Sequence, residues 1–163
     1  MIHQVGSNYY MTGSLDEGGN ARSYVLSVDA ATGNVNWCKT YVGASFSPHF
    51  TGMCASPSGG LILCGATAAS TGGNPGNLVI AKIDLSGNII WTRQVNGQYS
   101  WYMRNPTQMG NSWGISCAMD PYGAVVVAGE TNNNYSMLVK LVESTGNVMW
   151  CKRYGNGGGG GLS

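Results

Sequence analysis

Charged residues are scarce in this sequence of 163 residues. They make up 9% of the chain, against about 25% in a typical globular protein, and eight basic and seven acidic residues give a net charge of +1. The longest basic run is the pair Lys152-Arg153. Electrostatic binding to nucleic acid or to an anionic membrane is therefore not predicted. A surface covered by Asn, Ser, Thr, Gln and Gly instead favours an extracellular or virion protein.

Long apolar runs and helical periodicity are also missing. No run of about 18 apolar residues occurs, so no membrane span is predicted, and the first residues lack the pattern of a secretory signal. If the protein is exported, we expect the signal to lie outside this chain. Apolar residues occur in short runs bounded by Gly, Asn, Pro or Ser, without a sustained period of about 3.6. The sequence predicts an all-β fold with little or no helix.

Residues that carry catalysis or bind metals are few and dispersed. The seven acids are scattered, His3 and His49 have no repeated partner, and no His-Glu-x-x-His or phosphate-binding loop occurs. Asp29 and Asp84 recur at one position of the repeat described below, which favours turn stabilisation. We predict no catalytic residue, metal site or cofactor. We also expect five buried free thiols acting as small apolar side chains: Cys38, Cys54, Cys64, Cys117 and Cys151.

The pattern Gly-Asn-x-x-Trp occurs three times, at residues 33–37, 87–91 and 146–150. The tryptophans are 54 and 59 residues apart, which is just above the period of about 40 to 50 residues for one propeller blade. A second landmark, Pro-x-Gly, recurs at residues 57–59 and 121–123. Because the turn joins the two outermost strands of a unit, the tryptophan can cover the neighbouring unit. We assign a structural role to Gly33, Gly87, Gly146, Trp37, Trp91 and Trp150.

Each unit contains four short apolar segments separated by turn residues, although the opening strand of the first is cut short at Met1. The sequence therefore predicts about three four-stranded antiparallel β-propeller blades, with a long loop and a Gly-rich tail. A propeller closes with roughly four to eight blades. We expect a single segment of a larger propeller, completed by further blades of the same chain or by other copies. The predicted boundaries are 1–45, 46–98 and 112–155 for the blades, 96–111 for the loop and 156–163 for the tail.

The first unit, at residues 27–37 (Ser-Val-Asp-Ala-Ala-Thr-Gly-Asn-Val-Asn-Trp), resembles the tryptophan-docking repeat of quinoprotein-type propellers. Residues 82–91 and 140–150 look more like the repeats of large bacterial and bacteriophage propeller proteins. Several of those proteins are extracellular or tail components. The three units cover nearly the whole chain, so the resemblance implies a propeller fold, but it does not define a function.

The long loop departs most from the repeat and carries aromatic, amide and basic side chains. Such residues suit stacking on sugars or a protein contact, and they can equally fold back to cover a blade edge. All three alternatives remain open. The candidate binding residues are Tyr99, Trp101, Tyr102 and Arg104, with Gln108 nearby.

The function that we predict is a non-catalytic structural or recognition module of a larger extracellular or virion assembly, such as a phage tail component or a surface adhesin. One alternative is a quinoprotein-type oxidoreductase. That family uses an axial cofactor, a divalent cation and an acidic base, and often an adjacent cysteine pair, which this sequence lacks. The other alternative is a glycan-binding lectin.

Overall fold

The computed structural model describes residues 1–17, 20–42, 47–68, 75–95, 112–131 and 135–155. These residues form twelve β-strands and no helix. Within these ranges there is accordingly no helix of the length and apolar character needed to cross a membrane. The prediction of an all-β fold is confirmed for this part of the chain.

The strands form three four-stranded antiparallel sheets, and strands that are neighbours in a sheet are consecutive in the chain. Sheet 1 contains β1 (Ile2–Val5), β2 (Asn8–Glu17), β3 (Asn20–Asp29) and β4 (Val35–Tyr41). Sheet 2 contains β5 (Ser47–Ala55), β6 (Leu61–Ala68), β7 (Pro75–Ile83) and β8 (Ile89–Val95). Sheet 3 contains β9 (Ser112–Met119), β10 (Ala124–Thr131), β11 (Tyr135–Val142) and β12 (Val148–Tyr154). The predicted three four-stranded antiparallel units are confirmed.

An irregularity in the last strand pair recurs in all three sheets. The pairing shifts by one residue after Ser27 in sheet 1, after Lys82 in sheet 2 and after Lys140 in sheet 3. A bulge of this kind redirects the side chain that follows it. The extra residue is exposed in each sheet and lies directly before the repeated tryptophan: Asn36, Ile90 and Met149.

Aspartates stabilise the turns that precede these bulges in sheets 1 and 2. Asp29 Oδ1 accepts hydrogen bonds from the hydroxyl and the N–H of Thr32, both at 2.8 Å. Asp84 Oδ1 accepts from the N–H groups of Asn88 and Ser86, at 2.8 and 2.9 Å. These bonds lower the pKa of both carboxyls. The two aspartates therefore have the turn-stabilising role that their recurrence in the sequence suggested.

Sheet 2 lies between sheets 1 and 3 and is covered on both faces. Because side chains alternate between the two faces of a strand, β6 and β7 are apolar at nearly every position. One face packs on Tyr10, Val25 and Tyr41 of sheet 1, and the other packs on β10 and β11 of sheet 3. The first face carries Leu61, Leu63, Val79, Ala81 and Ile83, and the second carries Ile62, Cys64, Leu78 and Ile80.

Sheets 1 and 3 are each covered on one face only within the described residues. Tyr24, Leu26 and Val28 lie on the outer face of sheet 1 and are partly exposed. Val126 and Leu138 lie on the outer face of sheet 3 and are also partly exposed. The corresponding apolar residues of sheet 2 are buried. The row of sheets therefore ends in two incompletely covered apolar faces.

The five cysteines are free thiols, but they are not equally buried. Cys64 and Cys117 are buried, Cys54 and Cys151 are partly buried, and Cys38 is exposed. The prediction of five buried thiols is therefore confirmed for Cys64 and Cys117, met only in part for Cys54 and Cys151, and wrong for Cys38. Cys38 points to the outer face of sheet 1, whereas Cys151, at the matching position of sheet 3, packs against the core shared with sheet 2.

We expect a disulfide-exchange reagent to modify Cys38 rapidly in the folded monomer and to modify Cys64 and Cys117 only after unfolding. A hydrogen bond with Cys117 and burial both raise the pKa of Cys54, so its reactive thiolate is scarce. The absorbance of the chromophore that the reagent releases is followed with time, first in native buffer and then in denaturant. The number of thiols that react at each stage separates the exposed from the buried cysteines. Cys38→Ser should abolish the rapid phase. A rapid phase of unchanged size in that variant would contradict the assignment.

Candidate functional site

Adjacent sheets are joined by a tryptophan that reaches from the last strand of one sheet to a turn of the next. Trp37 on β4 donates a hydrogen bond from Nε1 to the backbone carbonyl of Leu85, at 3.1 Å. Trp91 on β8 donates in the same way to the carbonyl of Glu143, at 3.0 Å. Leu85 and Glu143 hold the same place in the turns that join the last two strands of sheets 2 and 3. One docking contact therefore recurs at both junctions.

A glycine lies under each docked indole. Gly87 and Gly146 have φ angles of +79° and +68°. Residues with a side chain rarely adopt such angles. A Cβ atom at Gly87 would lie 2.9 Å from the ring of Trp37, and one at Gly146 would lie 2.6 Å from the ring of Trp91. Glycine is therefore required for two reasons. The turn has a backbone conformation that other residues rarely adopt, and the indole ring lies too close to leave space for a Cβ atom.

Two further side chains of β4 bind the same turn of sheet 2. Lys39 Nζ donates to Asn88 Oδ1 at 2.8 Å, and the Tyr41 hydroxyl donates to the Gly87 carbonyl at 2.9 Å. Burial raises the pKa of Tyr41 to about 12, which keeps the phenol protonated as a donor. At the second junction Arg93 takes the position of Lys39 and also donates to the next turn. The docking surface of β4 thus consists of a Trp, a Lys and a Tyr on alternate residues.

The remaining two repeat residues lie at opposite ends of the row of sheets. Trp150 on β12 is 36% exposed, whereas Trp91 is 8% exposed. Gly33, in the turn of sheet 1, is exposed, and a Cβ atom there would meet nothing within 4 Å. Four of the six repeat residues therefore form two docking contacts, Trp37 on Gly87 and Trp91 on Gly146. One tryptophan and one glycine turn lie outside these two contacts.

A buried ion pair also links sheets 2 and 3. Lys82 Nζ lies 2.6 Å from Glu143 Oε1, and both side chains are buried. The same carboxylate oxygen accepts hydrogen bonds from the hydroxyls of Ser58, at 2.7 Å, and of Ser56. Burial raises the pKa of Glu143, but the hydrogen bonds from Lys82, Ser56 and Ser58 outweigh it and hold the pKa below its ordinary value. The ion pair is therefore present at neutral pH.

The acids are scattered along the sequence, and their spacing does not predict this pair. The available signal was Lys82 itself, which interrupts an otherwise apolar strand. In sheet 3 the matching Lys140 pairs with Asp120 of its own sheet, at 2.6 Å. Ser56 occupies the position of Asp120 in sheet 2, so Lys82 receives its carboxylate from the next sheet instead.

The predicted binding residues lie outside the described residues: Tyr99, Trp101, Tyr102 and Arg104. His3 is partly buried and His49 is exposed. Within the described ranges, no group of three or more His, Cys, Asp or Glu side chains is arranged to hold a metal ion. The arrangement of the described polar groups is suited to joining sheets.

Comparisons with known proteins bear on the fold alone. No family model and no curated protein matches the sequence. Among solved structures, the chain is similar to the crystal structure of a protein of unknown function from Bacteroides caccae, with a TM-score of 0.54. The match covers 93% of this chain at 12% identity. This chain spans 43% of the length of that protein.

We expect Lys82→Met to lower the free energy of unfolding by about 3–5 kcal/mol, because it leaves the Glu143 carboxylate buried without its cation. Adding Glu143→Gln should recover much of this loss, since the second change removes the stranded charge. Urea unfolding of both variants measures the effect. Equal losses in the single and double variants would contradict a coupled pair.

Acid should weaken the same junction. The pKa of Glu143 is lower in the folded protein than its ordinary value of 4.5. Its contribution is therefore complete above that value and is lost as the pH falls through the folded pKa. Asp29, Asp84 and Asp120 have lowered pKa values too, so Glu143→Gln should reduce the acid sensitivity without abolishing it. Unfolding free energies from about pH 7 to about pH 3 measure this, and an unchanged slope in the variant would contradict it.

Proposed function

We propose that the chain is a non-catalytic structural module composed of three consecutive blades of a β-propeller. The observation that carries the proposal is the indole contact from the last strand of one sheet to the turn of the next, which has the same geometry at both junctions. A contact repeated in this way gives successive sheets the same relative orientation. A constant rotation between four-stranded sheets is the principle by which a propeller forms a ring.

The contacts of the first strands support the same arrangement. β5 contacts β1, β2 and β3 of sheet 1 on one side and β9, the first strand of sheet 3, on the other. The docked tryptophans lie at the other edge of the sheets, on β4 and β8. In a propeller the sheets radiate from a central channel. Under this proposal the first strands line the channel, and the tryptophan contacts hold the blades together at the rim.

The setting that we propose is a larger extracellular or virion assembly, such as a phage tail component or a surface adhesin. The support is the low charge of the chain and its resemblance to extracellular and tail propellers. Loop 96–111 is the proposed recognition element, for a protein or a glycan, because loops on rigid scaffolds commonly carry binding residues. Its aromatic residues suit either ligand.

The proposal is tested by comparing two glycines that share a backbone conformation. Gly146 and Gly123 have φ angles of +68° and +79°, but only Gly146 lies under an indole. Gly123→Ala should cost about 1–2 kcal/mol for the left-handed conformation. Gly146→Ala should cost about 1–3 kcal/mol more, because the added methyl displaces Trp91. Urea unfolding of both variants measures the difference.

A double-variant cycle provides the control. In a Trp91→Leu background the extra cost of Gly146→Ala should largely disappear, because the ring that the methyl displaces is absent. Equal costs for the two glycine variants, or strict additivity of Trp91→Leu and Gly146→Ala, would overturn the docking contact as the element that holds the sheets together.

A further inference from the structure

The last strand of sheet 3 repeats the donor pattern of β4 residue by residue. Residues 37–41 are Trp-Cys-Lys-Thr-Tyr, and residues 150–154 are Trp-Cys-Lys-Arg-Tyr. On β4 the Trp, Lys and Tyr each donate a hydrogen bond to the turn of sheet 2. Trp150, Lys152 and Tyr154 carry the same three donors at the same spacing. β12 therefore has the composition of a docking strand.

These donors are exposed on the uncovered face of sheet 3. Tyr154 is 39% exposed, whereas Tyr41 is 6% exposed. Lys152 is exposed, and its ammonium group lies 5.9 Å from the centre of the Trp150 ring. Trp150 also pairs across the strands with Lys140, as Trp91 pairs with Lys82. The side chains are thus placed as at a formed junction.

The turn of sheet 1 has the structure of a docking seat. Its Thr-Gly-Asn sequence, ending at Asn34, is the same as that of the turn of sheet 3. In both turns the glycine N–H donates to the residue four positions earlier, at 2.9 Å for Gly33 and 2.7 Å for Gly146. The φ angles are +74° and +68°. The carbonyl of Ala30 occupies the position of the Glu143 carbonyl that accepts the Trp91 indole.

We propose that a second copy of this chain docks here, head to tail, with Trp150 of each copy seated on the Gly33 turn of the other. Lys152 would then donate to the Asn34 side chain and Tyr154 to the Gly33 carbonyl, as Lys39 and Tyr41 do at the first junction. The inference rests on the proposed function, because it continues the same rotation between sheets. Two copies give six sheets, which is within the range of about four to eight blades in a closed propeller.

The charges at the two ends favour this occupant. At the junction of sheets 2 and 3, Lys82 requires Glu143 from the facing turn. On the outer face of sheet 3, Lys140 is already paired with Asp120. The facing turn should therefore carry no acid at the position of Glu143, and Ala30 meets this condition. The partly exposed apolar faces of sheets 1 and 3 would cover each other, as both faces of sheet 2 are covered.

The test measures association by sedimentation velocity over a range of concentrations. The unmodified chain should form a dimer. Gly33→Ala and Trp150→Ala should each weaken dimerisation at least about 30-fold, the effect of losing an interface hot spot. Gly123→Ala has the same backbone cost. The matching glycine of sheet 2, Gly59, has open space around its Cβ position although sheet 3 is docked beside it, so Gly123→Ala should dimerise like the unmodified chain. Circular dichroism verifies that each variant is folded.

Mixing the two variants tests the direction of the contact. A Gly33→Ala chain retains Trp150, and a Trp150→Ala chain retains Gly33, so the mixture contains one intact junction and should associate more strongly than either variant alone. A contact in which Trp150 of one copy packs on Trp150 of the other would give no such recovery, because every mixed dimer would lack one of the two rings. An unmodified chain that stays monomeric, or a mixture without recovery, overturns the inference. The proposed function fails separately, if Gly146→Ala and Gly123→Ala have equal effects on unfolding.

Discussion

The structure depends on the need to cover both faces of each sheet. β6 and β7 have apolar side chains on both faces, so sheet 2 would expose a large apolar surface if it folded alone. Small isolated sheets of this kind are not stable in water. Burial between flat apolar faces is non-directional, however, and does not by itself fix their rotation. The directional contact that recurs in the same form at both junctions is the indole hydrogen bond, which joins one donor to one backbone carbonyl.

The indole contact in turn depends on local backbone geometry. The bulge before each tryptophan redirects its side chain, and the left-handed glycine of the next sheet provides a surface without a Cβ atom. The Asp84 carboxylate stabilises one such turn by accepting hydrogen bonds from the backbone N–H groups of Ser86 and Asn88. The bulge, the turn and its glycine lie within about ten residues of each tryptophan. One short sequence pattern therefore encodes a tryptophan that docks on the next sheet and a glycine turn that receives the tryptophan of the preceding sheet. The pattern can therefore recur along the chain with little change.

This local encoding explains what the sequence could and could not predict. Strands, turns, Trp37 and Gly87 were predictable, because each depends on neighbouring residues. The Lys82–Glu143 pair was not, since the two residues are 61 positions apart and the pair occurs at one junction only. The prediction that Cys38 is buried is wrong, because strand alternation shows which side chains share a face but not which face another sheet covers. The predicted binding loop lies outside the described residues, so its role remains a prediction from composition.

The ion pairs make the junctions chemically different although their backbone geometry is alike. A docking strand that carries Lys82 needs a carboxylate in the facing turn, and Glu143 supplies it. Beside Trp150, by contrast, Asp120 already neutralises Lys140. A turn with a glutamate there would place two carboxylates against one ammonium group, and like charges in a desolvated interface are costly. The tryptophan and the glycine allow one sheet to dock on the next. The position of the carboxylate determines which turn can pack against a given last strand. By this criterion the turn at Ala30 is a better partner for β12 than the turn at Glu143.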